Sequence, residues 1–119
     1  MLGTFAHPIT LISASGEDRE TVEALVDTGA MFTAVPAPLL KRLGLVADQT
    51  VTLRLANGQR EQRRIGELRA GLNSTEHTTI CVFGDPDSPA VIGAHTLEAF
   101  LLAVDPVAQR LVPVGGYWL

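Results

Sequence analysis

An apolar run, Ala24-Leu25-Val26, is interrupted by Asp27-Thr28-Gly29 and resumes as Ala30-Met31-Phe32-Thr33-Ala34-Val35 before Pro36. No other stretch restricts the fold as strongly. A carboxylate on an apolar strand must be solvated, paired or used, because burying it unpaired is expensive. Gly29 permits a backbone turn that a side chain would forbid. The chain therefore needs two strands that meet at this turn, within a body that leaves Asp27 reachable.

The totals limit what that body can be. With 119 residues the chain is read as one domain, 1–119, able to bury roughly two-thirds of its unfolded surface. A composition 46% hydrophobic and 18% charged excludes bulk disorder. The net charge of −4 suggests no nucleic-acid footprint. The single cysteine, Cys81, cannot form an internal disulfide or make a zinc site alone, which fits a reducing compartment. No segment reaches the roughly 18 continuous apolar residues of a membrane helix. Met1 to Ala14 lacks the basic start and long apolar core of a signal peptide. The expectation is a soluble cytoplasmic protein with no nucleic-acid partner and no membrane segment.

Strand signals dominate the order of elements. Phe5–Ser13 and Glu20–Val26 read as a hairpin across Ser15-Gly16-Glu17-Asp18, and Met31–Val35 as a third strand. Pro36-Ala37-Pro38 opens a short helix, Leu39–Leu43, which Gly44 stops. Thr50–Leu55 alternates with Val51, Leu53 and Leu55 on one face, Asn57-Gly58 supplies a turn, and Gln59–Ile65 returns as a polar arm. Ile65–Leu72 and Thr78–Phe83 read as further strands, followed by a loop over Gly84–Pro89. Ala90-Val91-Ile92-Gly93 reads as a short buried strand and Thr96–Phe100 as a helical turn or two. Leu101–Val104 and Leu111–Val114 close the chain around a turn at Asp105-Pro106. A glycine, an alanine and a short helix follow both Thr28 and Ile92, which suggests an approximate internal two-fold. The fold class is mainly β.

Taken together, Leu25-Val26-Asp27-Thr28-Gly29-Ala30, Leu55-Ala56-Asn57-Gly58, Val91-Ile92-Gly93, and Leu102-Ala103-Val104-Asp105 with Arg110-Leu111-Val112-Pro113 resemble the retropepsin-like (retroviral-type) aspartic proteases. The resemblance is specifically to their short single-domain bacterial and archaeal members. The resemblance implies a closed acid-protease-like barrel with one or two short helices and a flap hairpin. It implies Asp27 as the catalytic carboxylate, supported by Thr28, Gly29 and Ala30. Ala56, Asn57 and Gly58 would be the flap over a peptide or protein substrate. Val91, Ile92 and Gly93 would pack beside the catalytic loop. Neither a cofactor nor a metal is implied.

This chemistry needs two aspartates around one water, one ionised as general base and one protonated as general acid. The chain carries one copy of the motif, and a C2 homodimer brings Asp27 of each subunit to a shared axis. Two carboxylates about 3 Å apart repel by roughly 5–6 kcal/mol at an effective dielectric near 20. The pair then holds one proton over a window of several pH units, and activity is expected to be bell-shaped and acid-leaning. Where retroviral enzymes carry an acid after the loop and an arginine after the second glycine, this chain has Met31 and Ala94. The dimer contacts should differ accordingly.

Other residues have plainer readings. Asp27 alone would pass as a turn former, and Asp105 before Pro106 reads as one. His7, His77 and His95 lack metal-ligand spacing, and Cys81 reads as a core thiol. Arg60, Arg63 and Arg64 read as a solvated face with a possible reach to acidic substrate residues. Tyr117 and Trp118 are expected to dock on a partner or on the subunit's own surface. An actin-like sugar-kinase strand-turn is rejected, since that fold needs a far longer chain. The rival function is a catalytically silent retropepsin-fold dimer that binds peptides or supports assembly.

Overall fold

The protein is described by a computed structural model over residues 4–114; Tyr117 and Trp118 lie outside the described residues. Strand β1 (Phe5–Ile12) folds back into β2 (Arg19–Val26), with Phe5 opposite Val26 and Ile12 opposite Arg19. The loop between them is tied by Ser13, whose hydroxyl accepts from the Asp18 amide at 3.0 Å. After the Asp27 turn, β3 (Thr33–Pro36) runs into α1 (Ala37–Arg42). Gly44, at φ +79, ends that helix: its amide donates to the Lys41 carbonyl at 2.9 Å and the Leu45 amide to the Leu40 carbonyl at 3.0 Å. These paired bonds are the usual glycine-dependent helix stop.

Next come β4 (Gln49–Arg54), β5 (Arg60–Leu72), β6 (Thr75–Gly84) and the two-residue β7 (Val91–Ile92). Helix α2 (Ala94–Ala99) and the hairpin of β8 (Leu102–Asp105) and β9 (Arg110–Pro113) complete the chain. The mainly β fold with two short helices is as the sequence implies. Asp105 is a turn former, its Oδ1 accepting from the amides of Val107 and Ala108 at 3.1 Å each.

Most element ends shift by one to three residues, and one division between strands is absent. Gln59–Ile65 and Ile65–Leu72 form a single strand of 13 residues, β5, and not two. Its polar first half pairs with β4, from Arg54 opposite Arg60 to Gln49 opposite Ile65. Its apolar second half lies between β6 (Ile65 opposite Val82, Leu72 opposite Thr75) and β1 (Ile12 opposite Arg69). The change in polarity at Ile65 marks a change of partner strand, while the backbone continues.

The strand order is β1-β2-β7-β3-β6-β5-β4, and the extra β1–β5 pairing returns the sheet on itself. The result is a barrel circuit with β4 outside it. The narrow link is β7, parallel to β2 (Leu25 opposite Val91, Val26 opposite Ile92) and joined to β3 at Ala34. Ile9, Leu11, Val26, Val35, Leu40, Leu68, Leu72 and Ile92 fill the interior and are essentially inaccessible. Each such side chain contributes about 1.5–3 kcal/mol by leaving water.

Cys81 sits in this core at 1% exposure, and burial pushes its thiol from an ordinary 9.0 up to about 12. The folded thiol therefore stays protonated where an unfolded one ionises. Its effect on stability is nil below about pH 9; between there and about pH 12 stability falls as pH rises, because the unfolded state releases the proton first. At pH 8 the native protein should react with iodoacetamide about 10³-fold more slowly than the urea-unfolded chain. Equal rates by mass spectrometry would contradict the buried placement.

Candidate active site

The end of β2 and the start of β3 meet at Asp27, and the neighbouring β7 fixes where the turn lies. The Asp27 amide donates to the Ile92 carbonyl at 3.0 Å, extending the β2–β7 pairing by one step. The Ala30 amide donates to the Asp27 carbonyl at 3.1 Å and closes the turn. Asp27 Oδ1 accepts from the Gly29 amide at 2.9 Å. The half-buried carboxylate is thus held by backbone, with its remaining acceptor capacity open. Gly29 does not adopt a left-handed φ, so the turn itself does not demand glycine. Its role is spatial: a Cβ there would stand 3.2 Å from Asp27 Oδ1, crowding the carboxylate.

Behind the turn, Gly93 is the tighter requirement. A Cβ on Gly93 would lie 2.5 Å from the carbonyl carbon and oxygen of Phe32 and 3.0 Å from the Ala30 oxygen. With that side open, the Ala94 amide reaches the Ala30 carbonyl at 2.8 Å and the His95 amide reaches the Met31 carbonyl at 2.9 Å. The start of α2 is thereby bonded to the Asp27 loop. Val91 lines the cleft in front of the loop, while Ile92 and Gly93 are buried behind it.

A chain of hydroxyls under the loop escapes sequence reading. Thr33 Oγ1 accepts from the Gly93 amide at 3.2 Å and lies 2.6 Å from Thr96 Oγ1, which lies 2.8 Å from Thr79 Oγ1. All three threonines are buried. They join β3, α2 and β6 without leaving a buried side-chain polar atom unpaired among the described residues. The only signal in the sequence is a hydroxyl at an inward position of three apolar segments, and nothing local says that the three meet.

Asp27 opens onto a cleft of about 770 Å³. Its walls are mostly apolar, with Ala30, Met31, Phe32 and Val91 on the loop side and Val51, Leu53 and Leu55 on the hairpin side. Ala56, Asn57 and Gly58 lie beyond that wall, exposed at the hairpin tip. There Gly58 takes φ +86 and Asn57 Oδ1 accepts from the Gln59 amide at 2.9 Å. The hairpin therefore meets the cleft through Val51–Leu55, one step before the turn. The other carboxylate on the cleft, Asp85, receives a hydrogen bond from Arg63 at 3.3 Å; Arg63 also pairs with Glu61 at 2.6 Å. Thr28 is exposed, and its hydroxyl makes no hydrogen bond among the described residues. Met31, at 67% exposure, presents an apolar side chain just past the loop.

Residues 13–99 match the family model described as "gag-polyprotein putative aspartyl protease". The solution structure of simian foamy virus (mac) protease superposes with a TM-score of 0.54 at 16% identity, over 77% of this chain and 92% of that one. That likeness shows a retroviral-protease fold. No curated protein matches the chain.

The contacts behind the loop give a direct test. Gly93→Ala should lower the unfolding free energy by about 2–4 kcal/mol, since backbone must move to admit the methyl group. Thr96→Val should cost about 1–3 kcal/mol by leaving Thr33 and Thr79 one partner short. Urea unfolding followed by circular dichroism measures both, and losses under 0.5 kcal/mol would contradict the packing described.

Proposed function

The chain belongs to the gag-polyprotein aspartyl protease family, and on that premise we propose that it is an aspartic endopeptidase working as a homodimer. The observation that carries this reading is a single half-buried carboxylate, Asp27, held by the Gly29 amide and facing an open, mainly apolar cleft. The other acid on that cleft is engaged by Arg63, so the second aspartate of a dyad has to come from another subunit. A C2 arrangement supplies it as the partner's equivalent of Asp27. In that arrangement the exposed Thr28 hydroxyl and Met31 side chain would meet the partner.

The chemistry follows from the pair. One Asp27 is ionised and takes a proton from the water as its oxygen adds to the scissile carbonyl carbon. The other is protonated and gives its proton to the carbonyl oxygen. The tetrahedral diol then collapses: the first Asp27 passes its proton to the nitrogen, the other takes one from a hydroxyl, the C–N bond breaks, and an amine and a carboxylic acid remain. The Gly29 amide keeps one oxygen of each carboxylate in place, so little reorganisation is needed. Substrate lies extended between the loop and the Val51–Leu55 wall, with the β4–β5 hairpin acting as the flap.

Wild-type protein should sediment as a dimer and cleave an unbiased peptide library with a bell-shaped, acid-leaning pH profile. Asp27→Asn should lower cleavage by at least about 10³-fold while keeping the fold. Cleavage that survives this substitution, or a strict monomer that cleaves, would overturn the reading. A wild type that binds peptides without cutting them would instead favour the silent binding dimer.

A further inference from the structure

Charge is unevenly placed along the chain. Residues 41–64 carry six of the nine basic residues and two of the thirteen acids, so this stretch is positive in an acidic protein. Its arginines divide by strand face. Arg63 lines the Asp27 cleft and pairs with Glu61 and Asp85. Arg64 points the other way, as alternation along β5 requires, and lines a second cavity of about 430 Å³. Lys41 and five apolar residues, among them Leu45, Val46 and Phe83, make up the rest of its wall. No residue lines both cavities, and β6 divides them, with Val82 on the cleft and Phe83 on this side.

Two features of the second cavity call for an anion carried on an apolar body. The first is charge without a counterion. Arg64 donates to the Thr50 hydroxyl at 2.7 Å and to the Ala47 carbonyl at 3.0 Å. Both acceptors are neutral, so the guanidinium is held in position with no carboxylate partner among the described residues. The Lys41 ammonium has no hydrogen bond or ion pair among them either. No acid lines the cavity, and Asp48, next to Ala47 in the chain, is exposed outside it. A guanidinium fixed beforehand takes up a carboxylate with less entropy lost. The second feature is apolar surface left in water: Val46 is 79% exposed, and Leu45 and Phe83 are only half-buried. The volume is within the range of ligand pockets.

The outer face of the hairpin decides which ligand of this kind fits. Arg60 lies on the same face of β5 as Arg64, roughly 13 Å away along the strand, and Arg54 stands opposite Arg60. Both are exposed, and neither side chain has a hydrogen bond or ion pair among the described residues. A small carboxylic acid would fill the cavity alone, whereas an extended acidic peptide reaches from the cavity to this second pair. We propose that the cavity at Arg64 and Lys41 is a docking site for an acidic segment of a partner polypeptide. One apolar side chain of the segment packs against Leu45, Val46 and Phe83. A flanking carboxylate meets Arg64 and Lys41, and an acid further along meets Arg60 and Arg54. The site is separate from the Asp27 cleft, and docking there requires no cleavage.

The test measures binding of short labelled peptides to the full chain by fluorescence anisotropy, with Asp27→Asn in the protein so that no peptide is cut. The reference peptide carries a leucine flanked by glutamates, with a further glutamate along the chain. It should bind about tenfold more tightly than its glutamine counterpart, and salt at about 0.5 M should remove most of that preference. Serine in place of the leucine should weaken it about fivefold. Lys41→Glu and Val46→Asp, both at exposed positions, should each weaken it about fivefold, and Lys41→Glu should prefer a peptide with lysine in place of the flanking glutamate. Amide NMR shifts on binding should centre on Lys41, Leu45, Val46, Arg64 and Phe83. Equal binding of the glutamate and glutamine peptides overturns the proposal, as does an affinity that both substitutions leave intact. Shifts centred on Asp27, Ala30 and Val91 overturn it by placing the peptide in the cleft. Binding of phosphatidylserine vesicles or single-stranded DNA that Lys41→Glu abolishes, with no peptide bound, overturns it by assigning the face to lipid or nucleic acid. None of these results bears on cleavage, which the wild-type digest tests separately.

Discussion

The contact on which the site depends is the passage of the Ala30–Phe32 backbone across Gly93. There is no room for a side chain between them; hydrogen bonds from the Ala94 and His95 amides to the Ala30 and Met31 carbonyls, with a third from the Asp27 amide to the Ile92 carbonyl, lock the two stretches together. Backbone groups at such depth must be paired or the fold loses free energy. Here they pair with each other, so the Asp27 loop is held by main chain and does not rely on long side chains. A carboxylate mounted this way has little freedom to wander, which is what acid–base chemistry requires of it. The absence of a charged pair at Met31 and Ala94 is tolerable for the same reason.

The threonine chain beneath the loop complements that lock. Thr33, Thr96 and Thr79 sit where leucine or valine would satisfy the hydrophobic pattern, yet each hydroxyl is within hydrogen-bonding distance of another. Buried hydroxyls fully satisfied by one another favour one arrangement of the surrounding elements over near alternatives. Because they join β3, β6 and α2, they set the height at which α2 presents its first amides to the loop. The Asp27 loop is therefore positioned from below by side chains and from the side by backbone.

Much of this was legible in the sequence, and the reasons differ by element. The Asp27 turn, the glycine stop at Gly44 and the Asn57-Gly58 turn are local, and the last two are specified by conformations available to few residues. The unity of β5 was not legible, since a single strand that changes partner at Ile65 looks like two strands of different polarity. The role of Gly93 was read only as packing. Its reason, the lack of space against Phe32, involves a segment far away in the chain. Sequence reads Gly29 as a turn former, whereas in the structure a Cβ there would crowd the neighbouring carboxylate at 3.2 Å. The threonine contacts and the cleft wall at Val51–Leu55 arise from tertiary folding alone.

The continuity of β5 has a consequence for how such a protein can change over time. Its inner half is woven between β1 and β6, while its outer half contacts mainly β4. Gly66, just past the changeover, is pressed against the Val46 carbonyl, which a Cβ would approach to 2.8 Å, and so pins the strand where it leaves the core. Beyond that pin the hairpin can accumulate substitutions, or alter its length, with little penalty to the interior. The wall of the cleft and the packing of the interior are thereby placed on separate stretches of one strand, so the first can change while the second is kept.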